Sequence, residues 1–206
     1  MIDKTDFYAK HHPLMLKIFE KSCLGIAGCG GLGSNAAVSL ARAGIGHLIL
    51  VDFDRIEPSN LNRQYFFTDQ IGQFKSKALK DNIQKINPFI RIDEFSVMIK
   101  DENVDALFSD CDILIEAFDQ ADQKIMLIET WLSLYPQKPI ICGSGVAGIG
   151  NNNKIHVSQY DNLYICGDEE CELEAGITPL APKVCIVANM QANQALELLI
   201  NQNKEF

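Results

Sequence analysis

A short apolar run, Gly25-Ile26-Ala27, feeds straight into Gly28-Cys29-Gly30-Gly31-Leu32-Gly33-Ser34. No other stretch restricts the fold as strongly. Glycines in a Gly-x-Gly-x-x-Gly spacing (Gly28, Gly30, Gly33) permit a tight turn from a strand into a helix and let the backbone approach a ligand with no side chain between. The helix that opens there offers unpaired N–H groups and a partial positive charge, which suits a phosphate. Asp52 follows at the end of the next apolar run, Leu48-Ile49-Leu50-Val51, where a carboxylate can accept ribose hydroxyls. The pattern therefore calls for a parallel α/β unit that binds a nucleotide. Taken alone it also fits a nicotinamide or flavin dinucleotide.

Further apolar runs alternate with helical segments along the rest of the chain. Strands are expected at residues 23–27, 47–52, 90–98, 112–118 and 139–142, and helices at 14–21, 31–42, 76–86, 102–108, 122–134 and 184–201. Asn87-Pro88 stops one helix, and Ala43-Gly44-Ile45-Gly46 ends the one that follows the glycine turn, with a glycine near its C-cap. Five strands separated by helices predict an α/β fold, a Rossmann-like, doubly wound, mainly parallel sheet. After Gly143 the pattern changes. Residues 154–159 and 162–165 read as two short antiparallel strands, so a short antiparallel C-terminal extension is expected. A single domain over 1–206 follows, with an N-terminal helical segment at 1–22 and, at 144–206, antiparallel strands, an acidic crossover loop and a final helix.

Ligands of such sheets sit beyond the carboxyl ends of the strands. The glycine turn, Asp52 and Asp119 all fall at that edge. Between Asp52 and the next helix lies a long polar connection that carries Asn60, Arg63 and Lys75. Singly, each of these reads as a solvated surface residue. Together they supply more positive charge and more donors than a dinucleotide needs, and suit a triphosphate whose leaving group must be neutralised. Asp119 is the natural ligand for Mg²⁺, which takes one or two carboxylates with phosphate oxygens and water; the plainer alternative is a helix N-cap. Asp54 is a secondary acid, able instead to hold the loop through a salt bridge.

The net charge of −9 counts against a nucleic-acid partner. No apolar run approaches the roughly 18 residues of a membrane span, and the N-terminus lacks the apolar core of a signal peptide. Seven cysteines, an odd number, do not make a secreted disulfide framework, so a cytoplasmic location is expected.

The string Asp52-Phe53-Asp54-x-Ile56-x-x-Ser59-Asn60-Leu61-Asn62-Arg63-Gln64, after the glycine turn, resembles the ThiF/MoeB/ubiquitin-activating-enzyme superfamily. Ile71-Gly72-Gln73-Phe74-Lys75, Ala117-Phe118-Asp119-Gln120, and Ala175-Gly176 with Leu180-Ala181-Pro182 are similar to its later motifs. The resemblance covers residues 22–200 and is nearest to the short ThiF forms of thiamine biosynthesis. It implies an ATP- and Mg²⁺-dependent adenylyltransferase that activates the C-terminal Gly-Gly carboxylate of a ubiquitin-like sulfur carrier, ThiS. It assigns Gly31 and Asp52 to the adenosine end, Asn60, Arg63 and Lys75 to the phosphates, and Asp119 to magnesium. It also implies a homodimer. Cys171 lies near the family's catalytic cysteine, one residue out of register, but its acidic surroundings favour an unreactive loop thiol; Cys166 is a weaker candidate. Two features depart from the family. The paired Cys-x-x-Cys motifs of zinc-binding relatives are missing, so no zinc is expected, and residues 1–22 hold no arginine to reach a partner's site. The alternatives are a molybdopterin-carrier activator, a tRNA-modifying dehydratase, an NAD-dependent oxidoreductase, or a scaffold without activity.

Overall fold

The computed structural model describes residues 2–170 and 178–203. Two short helices, α1 (Lys4–Phe7) and α2 (Pro13–Phe19), lead into β1 (Cys23–Ala27). The order continues α3 (Gly31–Ala43), β2 (His47–Val51), α4 (Lys75–Ile86), β3 (Arg91–Phe95), α5 (Val104–Phe108), β4 (Ile113–Glu116), α6 (Ala121–Leu134), β5 (Ile140–Ser144), β6 (His156–Tyr160), β7 (Leu163–Gly167) and α7 (Ala181–Gln202). The strands form one sheet in the order β3-β2-β1-β4-β5-β7-β6. All pairings are parallel except β6 on β7.

β1 is apolar throughout, and β2 and β4 are apolar apart from His47 and Glu116, because both faces of the sheet are covered. Leu24, Ile26, Leu48, Leu50, Ile113 and Ile115 face a core built with α3, α4 and α7. Cys23, Ala27, Ile49, Val51 and Leu114 face the other, with Phe108 of α5 and Leu127 and Trp131 of α6. Gly25 belongs to the second face, where a Cβ would stand 2.7 Å from the Phe108 ring. α3 ends as its sequence predicts, with Gly44 in the left-handed region at φ +100°.

Strand order reverses between the parallel neighbours β1 and β4: β2 and β3 lie on one side of them and β5, β7 and β6 on the other. That reversal opens a crevice at their carboxyl ends. The turn after β1 and the turn after β4 both border it.

Two features add to what the sequence predicts. The hairpin β6–β7 is antiparallel as read, but β7 also pairs in parallel with β5, from Ile140↔Leu163 to Ser144↔Gly167. An isolated two-stranded hairpin has little stability of its own, and here it is seated on the main sheet with Tyr164 and Cys166 buried. The long polar connection after β2 carries local structure of its own. It holds two single-turn 3-10 helices, Pro58–Asn62 and Thr68–Gln70. Gln70 and Asn82 exchange side-chain amide hydrogen bonds of 2.7 and 3.0 Å, which fix this connection to α4. Among the described residues no helix is long and apolar enough to cross a membrane.

Candidate active site

The glycine turn is held from below and from the side. Gly28 has φ +92°, and a Cβ there would meet the Ala117 carbonyl oxygen at 3.0 Å. A Cβ on Gly33 would lie 1.9 Å from the Gly28 carbonyl oxygen, so α3 can pack against its own turn only through glycine. Asp52 clamps the turn laterally. One carboxylate oxygen accepts the Cys29 N–H at 2.6 Å, and the other accepts the Asp54 N–H at 2.7 Å. Burial raises the Asp52 carboxyl above its ordinary range, opposed by these two N–H donors and by Lys75. Asp52 thus has a structural task in addition to the ribose-binding position that its sequence context predicts.

The start of α3 has no side-chain cap, which leaves the N–H groups of its first turn available. The space above it is open. A Cβ on Gly30 would have no neighbour nearer than the Gln64 amide nitrogen at 3.7 Å. A Cβ on Gly31 would stand 3.6 Å from the Arg63 stem and 3.1 Å from Val184 of α7. Arg63 therefore lies over the start of α3, its guanidinium donating to Asn62 Oδ1 at 2.7 Å.

Two residues that the sequence reading passed over set this position. Asn35 Nδ2 donates to the carbonyl oxygens of Gly31 at 2.7 Å and Arg63 at 2.9 Å. Ser34 Oγ donates to the Gly30 carbonyl oxygen at 2.6 Å and accepts the Tyr65 N–H at 3.0 Å. Their signal was two small polar residues directly after the last glycine. Asn60 uses its Oδ1 to accept the Glu57 N–H at 3.0 Å, a turn-forming bond.

Lys75 is buried, and its ammonium donates to Asp54 Oδ2 at 2.7 Å. Asp54 thus takes the salt-bridge role that its sequence position allowed. An ammonium carries three N–H donors, so this bond occupies only part of Lys75.

Asp119 sits in the turn between β4 and α6 and is exposed. The N-cap of α6 is Gln120 and makes no side-chain capping bond, so Asp119 is not a helix cap. Among the described residues no hydrogen bond to the Asp119 carboxylate is formed. Nor do three His, Cys, Asp or Glu side chains converge on one point there. A single unengaged carboxylate at the open edge fits a hard cation that arrives with phosphate oxygens, and does not fit an all-protein cage.

Four exposed apolar side chains follow β2 and end or follow β3: Phe53, Phe95, Val97 and Met98. They were not singled out in the sequence, although apolar residues just past a strand end are their signature. Cys166 is fully buried in β7, and burial pushes its thiol up to about 12, which disfavours it as a nucleophile. Cys29, inside the glycine turn, is likewise buried with its thiol well above the ordinary range. Cys171 lies outside the described residues, as do Ala175 and Gly176.

The arrangement brings Gly28–Gly33, Asp52, Arg63, Lys75 and Asp119 to one edge of the sheet. It offers N–H donors and two cations on one side of the crevice and a free carboxylate on the other.

Comparison with known proteins gives consistent matches. The model of the ThiF family matches residues 5–206. The chain is 29% identical over 186 residues to the molybdopterin-synthase adenylyltransferase of Escherichia coli, covering 87% of this chain and 73% of that protein. It is 26% identical over 199 residues to the sulfur carrier protein adenylyltransferase of Thermus thermophilus, covering 90% of this chain and 72% of that protein. Among solved structures, the E. coli tRNA N6-threonylcarbamoyladenosine dehydratase in complex with AMP superposes with a TM-score of 0.85 at 21% identity, covering 96% of this chain and 93% of that one. That likeness is one of fold.

Proposed function

The chain belongs to the ThiF family, and from that premise we propose that it is an ATP- and Mg²⁺-dependent adenylyltransferase acting on a small ubiquitin-like sulfur carrier of the ThiS type. What supports the reading is one juxtaposition: an N–H-rich glycine turn, Arg63 and Lys75 share a sheet edge with an unengaged carboxylate, Asp119. The names of the bacterial relatives, both adenylyltransferases, favour the same class of reaction.

The chemistry needs little from the protein beyond placement and charge. The carrier's C-terminal carboxylate is ionised at neutral pH and serves as the nucleophile, so no general base is required. It attacks the α-phosphorus of ATP, the bond from that phosphorus to the bridging oxygen breaks, and pyrophosphate leaves with the electron pair. The product is the carrier's acyl-adenylate. Gly31 and Asp52 hold the adenosine end, and Phe53, Val97 and Met98 offer apolar surface to the base. The N–H groups of α3, Asn60, Arg63 and Lys75 bind the phosphates and offset the repulsion between carboxylate and triphosphate. Asp119 would hold Mg²⁺, which when bound would supply further charge neutralisation. The protein works as a homodimer in the cytoplasm, within thiamine thiazole synthesis, and Cys171 is the candidate thiol for the later sulfur-transfer step.

ATP–pyrophosphate exchange tests the proposal, with Mg²⁺ and a ThiS carrier set against the same carrier lacking its terminal Gly-Gly. Exchange is expected only with the intact carrier. Arg63→Ala and Asp119→Ala are each expected to lower it about 100-fold or more. ATP binding without exchange would point to another carrier or a non-protein substrate. Absence of ATP binding would overturn the reading altogether.

A further inference from the structure

Asp119 makes no bond of its own among the described residues, so its orientation depends on its neighbours. Those neighbours include a partly buried ion pair to which the reaction above gives no task. Glu116, the last residue of β4, is fully buried. One of its carboxylate oxygens accepts the Phe118 N–H at 2.7 Å, and the other pairs with the Lys124 ammonium in the first turns of α6. Lys124 also donates to the Gly143 carbonyl oxygen of β5 at 3.1 Å.

The pair brackets the turn on which Asp119 stands. Glu116 holds it before Asp119, the Phe118 N–H ties it from within, and Lys124 fastens the helix that follows. The Ala117 N–H donates to the Ala27 carbonyl oxygen at 2.9 Å, which joins the same turn to the end of β1. Gln191 of α7 braces it from the other face of the sheet, donating to the Glu116 carbonyl oxygen at 3.0 Å. With Glu116 fully buried and Lys124 about a quarter exposed, this pair is a poor device for stability alone, because desolvating the carboxylate offsets much of the attraction. A metal-binding carboxylate has the opposite requirement: it must be unengaged yet fixed in place, and such fixing comes from the groups behind it.

We propose that Lys124 and Glu116 are positioning residues that set the β4–α6 turn so that the Asp119 carboxylate meets the metal of the nucleotide complex. The proposal rests on the reading that Asp119 holds Mg²⁺. Simple electrostatics predicts the reverse sign: removing a nearby cation should strengthen binding of another cation.

Calorimetric titration of ATP into the full chain, once in EDTA and once in Mg²⁺, separates the two. In the unaltered protein Mg²⁺ is expected to tighten ATP binding, and Asp119→Ala to abolish that gain. Lys124→Met is expected to reduce the Mg²⁺-dependent gain about 10-fold, with affinity in EDTA nearly unchanged, while Lys124→Arg retains most of it. An undiminished or larger gain in Lys124→Met overturns the proposal. Should Lys124→Met fail to fold, Glu116→Gln carries the test, since it keeps an acceptor for the Phe118 N–H but loses the charge; a full Mg²⁺ gain in that variant overturns the proposal equally. A full gain in Asp119→Ala removes the premise instead, and the two failures are told apart by which variant shows them.

Discussion

At Gly33 there is no room for a methyl group. The Cβ position lies 1.9 Å from the Gly28 carbonyl oxygen and 3.0 Å from an Ile26 methyl, and the first of these is backbone that cannot swing aside. Gly33→Ala is expected to destabilise the fold by about 1–3 kcal/mol through overpacking, read as a lower midpoint in urea, and to weaken ATP binding because the turn is displaced. This glycine was legible in the sequence because its requirement is local: three glycines at fixed spacing can be read from a dozen residues. The positions of Asp52 and Asp119 beyond the carboxyl ends of β2 and β4 were legible for a similar reason, since each follows an apolar run. The ion pair between Asp54 and Lys75 was legible only as an option for Asp54, because the partners lie 21 residues apart and the connection between them folds back. Asn35 and Ser34 were missed altogether. Their role is to join α3 to residues 63–65, and nothing in a helix's own sequence names what lies beside it.

At the scale of elements, α5 and α6 are held together by the Tyr135 hydroxyl, which donates to the Asp105 carboxylate. Burial, then this hydrogen bond, raises the Tyr135 phenol from 10.0 to about 12. A group whose pKa is raised on folding lends stability that is complete below its unfolded pKa and is lost as the pH climbs through its folded value. Tyr135→Phe is therefore expected to cost about 1 kcal/mol at pH 8. The difference between the two proteins should shrink as pH rises from about 10 toward 12, as denaturant titration across that range would show. The strands and long helices were found from their apolar periodicity, although their ends moved. α7 begins at Ala181 instead of residue 184, consistent with Pro182 being acceptable in a first helical turn. The parallel docking of β7 on β5 was not legible. Alternation along a strand says which face is buried and is silent about which strand lies alongside.

For the whole molecule, the buried pair of Lys183 and Asp168 joins the start of α7 to the end of β7 at 2.7 Å, and Lys183 also donates to the Ala147 carbonyl oxygen at 2.9 Å. Lys183→Met removes the cation from a fully buried carboxylate. It is expected to lower stability by about 3–5 kcal/mol, seen as a clear fall in melting temperature by calorimetry. The alternation of strands and helices made the doubly wound order legible, because crossover connections have one preferred hand. The return of the last helix to the first was not. α7 packs on α3, and Val184 closes over Gly31 at the mouth of the glycine turn. That closure has a consequence in time. The glycine motif proposed to bind nucleotide is made within the first third of the chain, but its wall is supplied by residues far along the sequence. A chain still emerging from the ribosome carries the motif long before it can complete the site, and pairings so distant in sequence are slow to form. Nucleotide affinity should therefore appear late in refolding, after most secondary structure, and serve as a report that the ends of the chain have met.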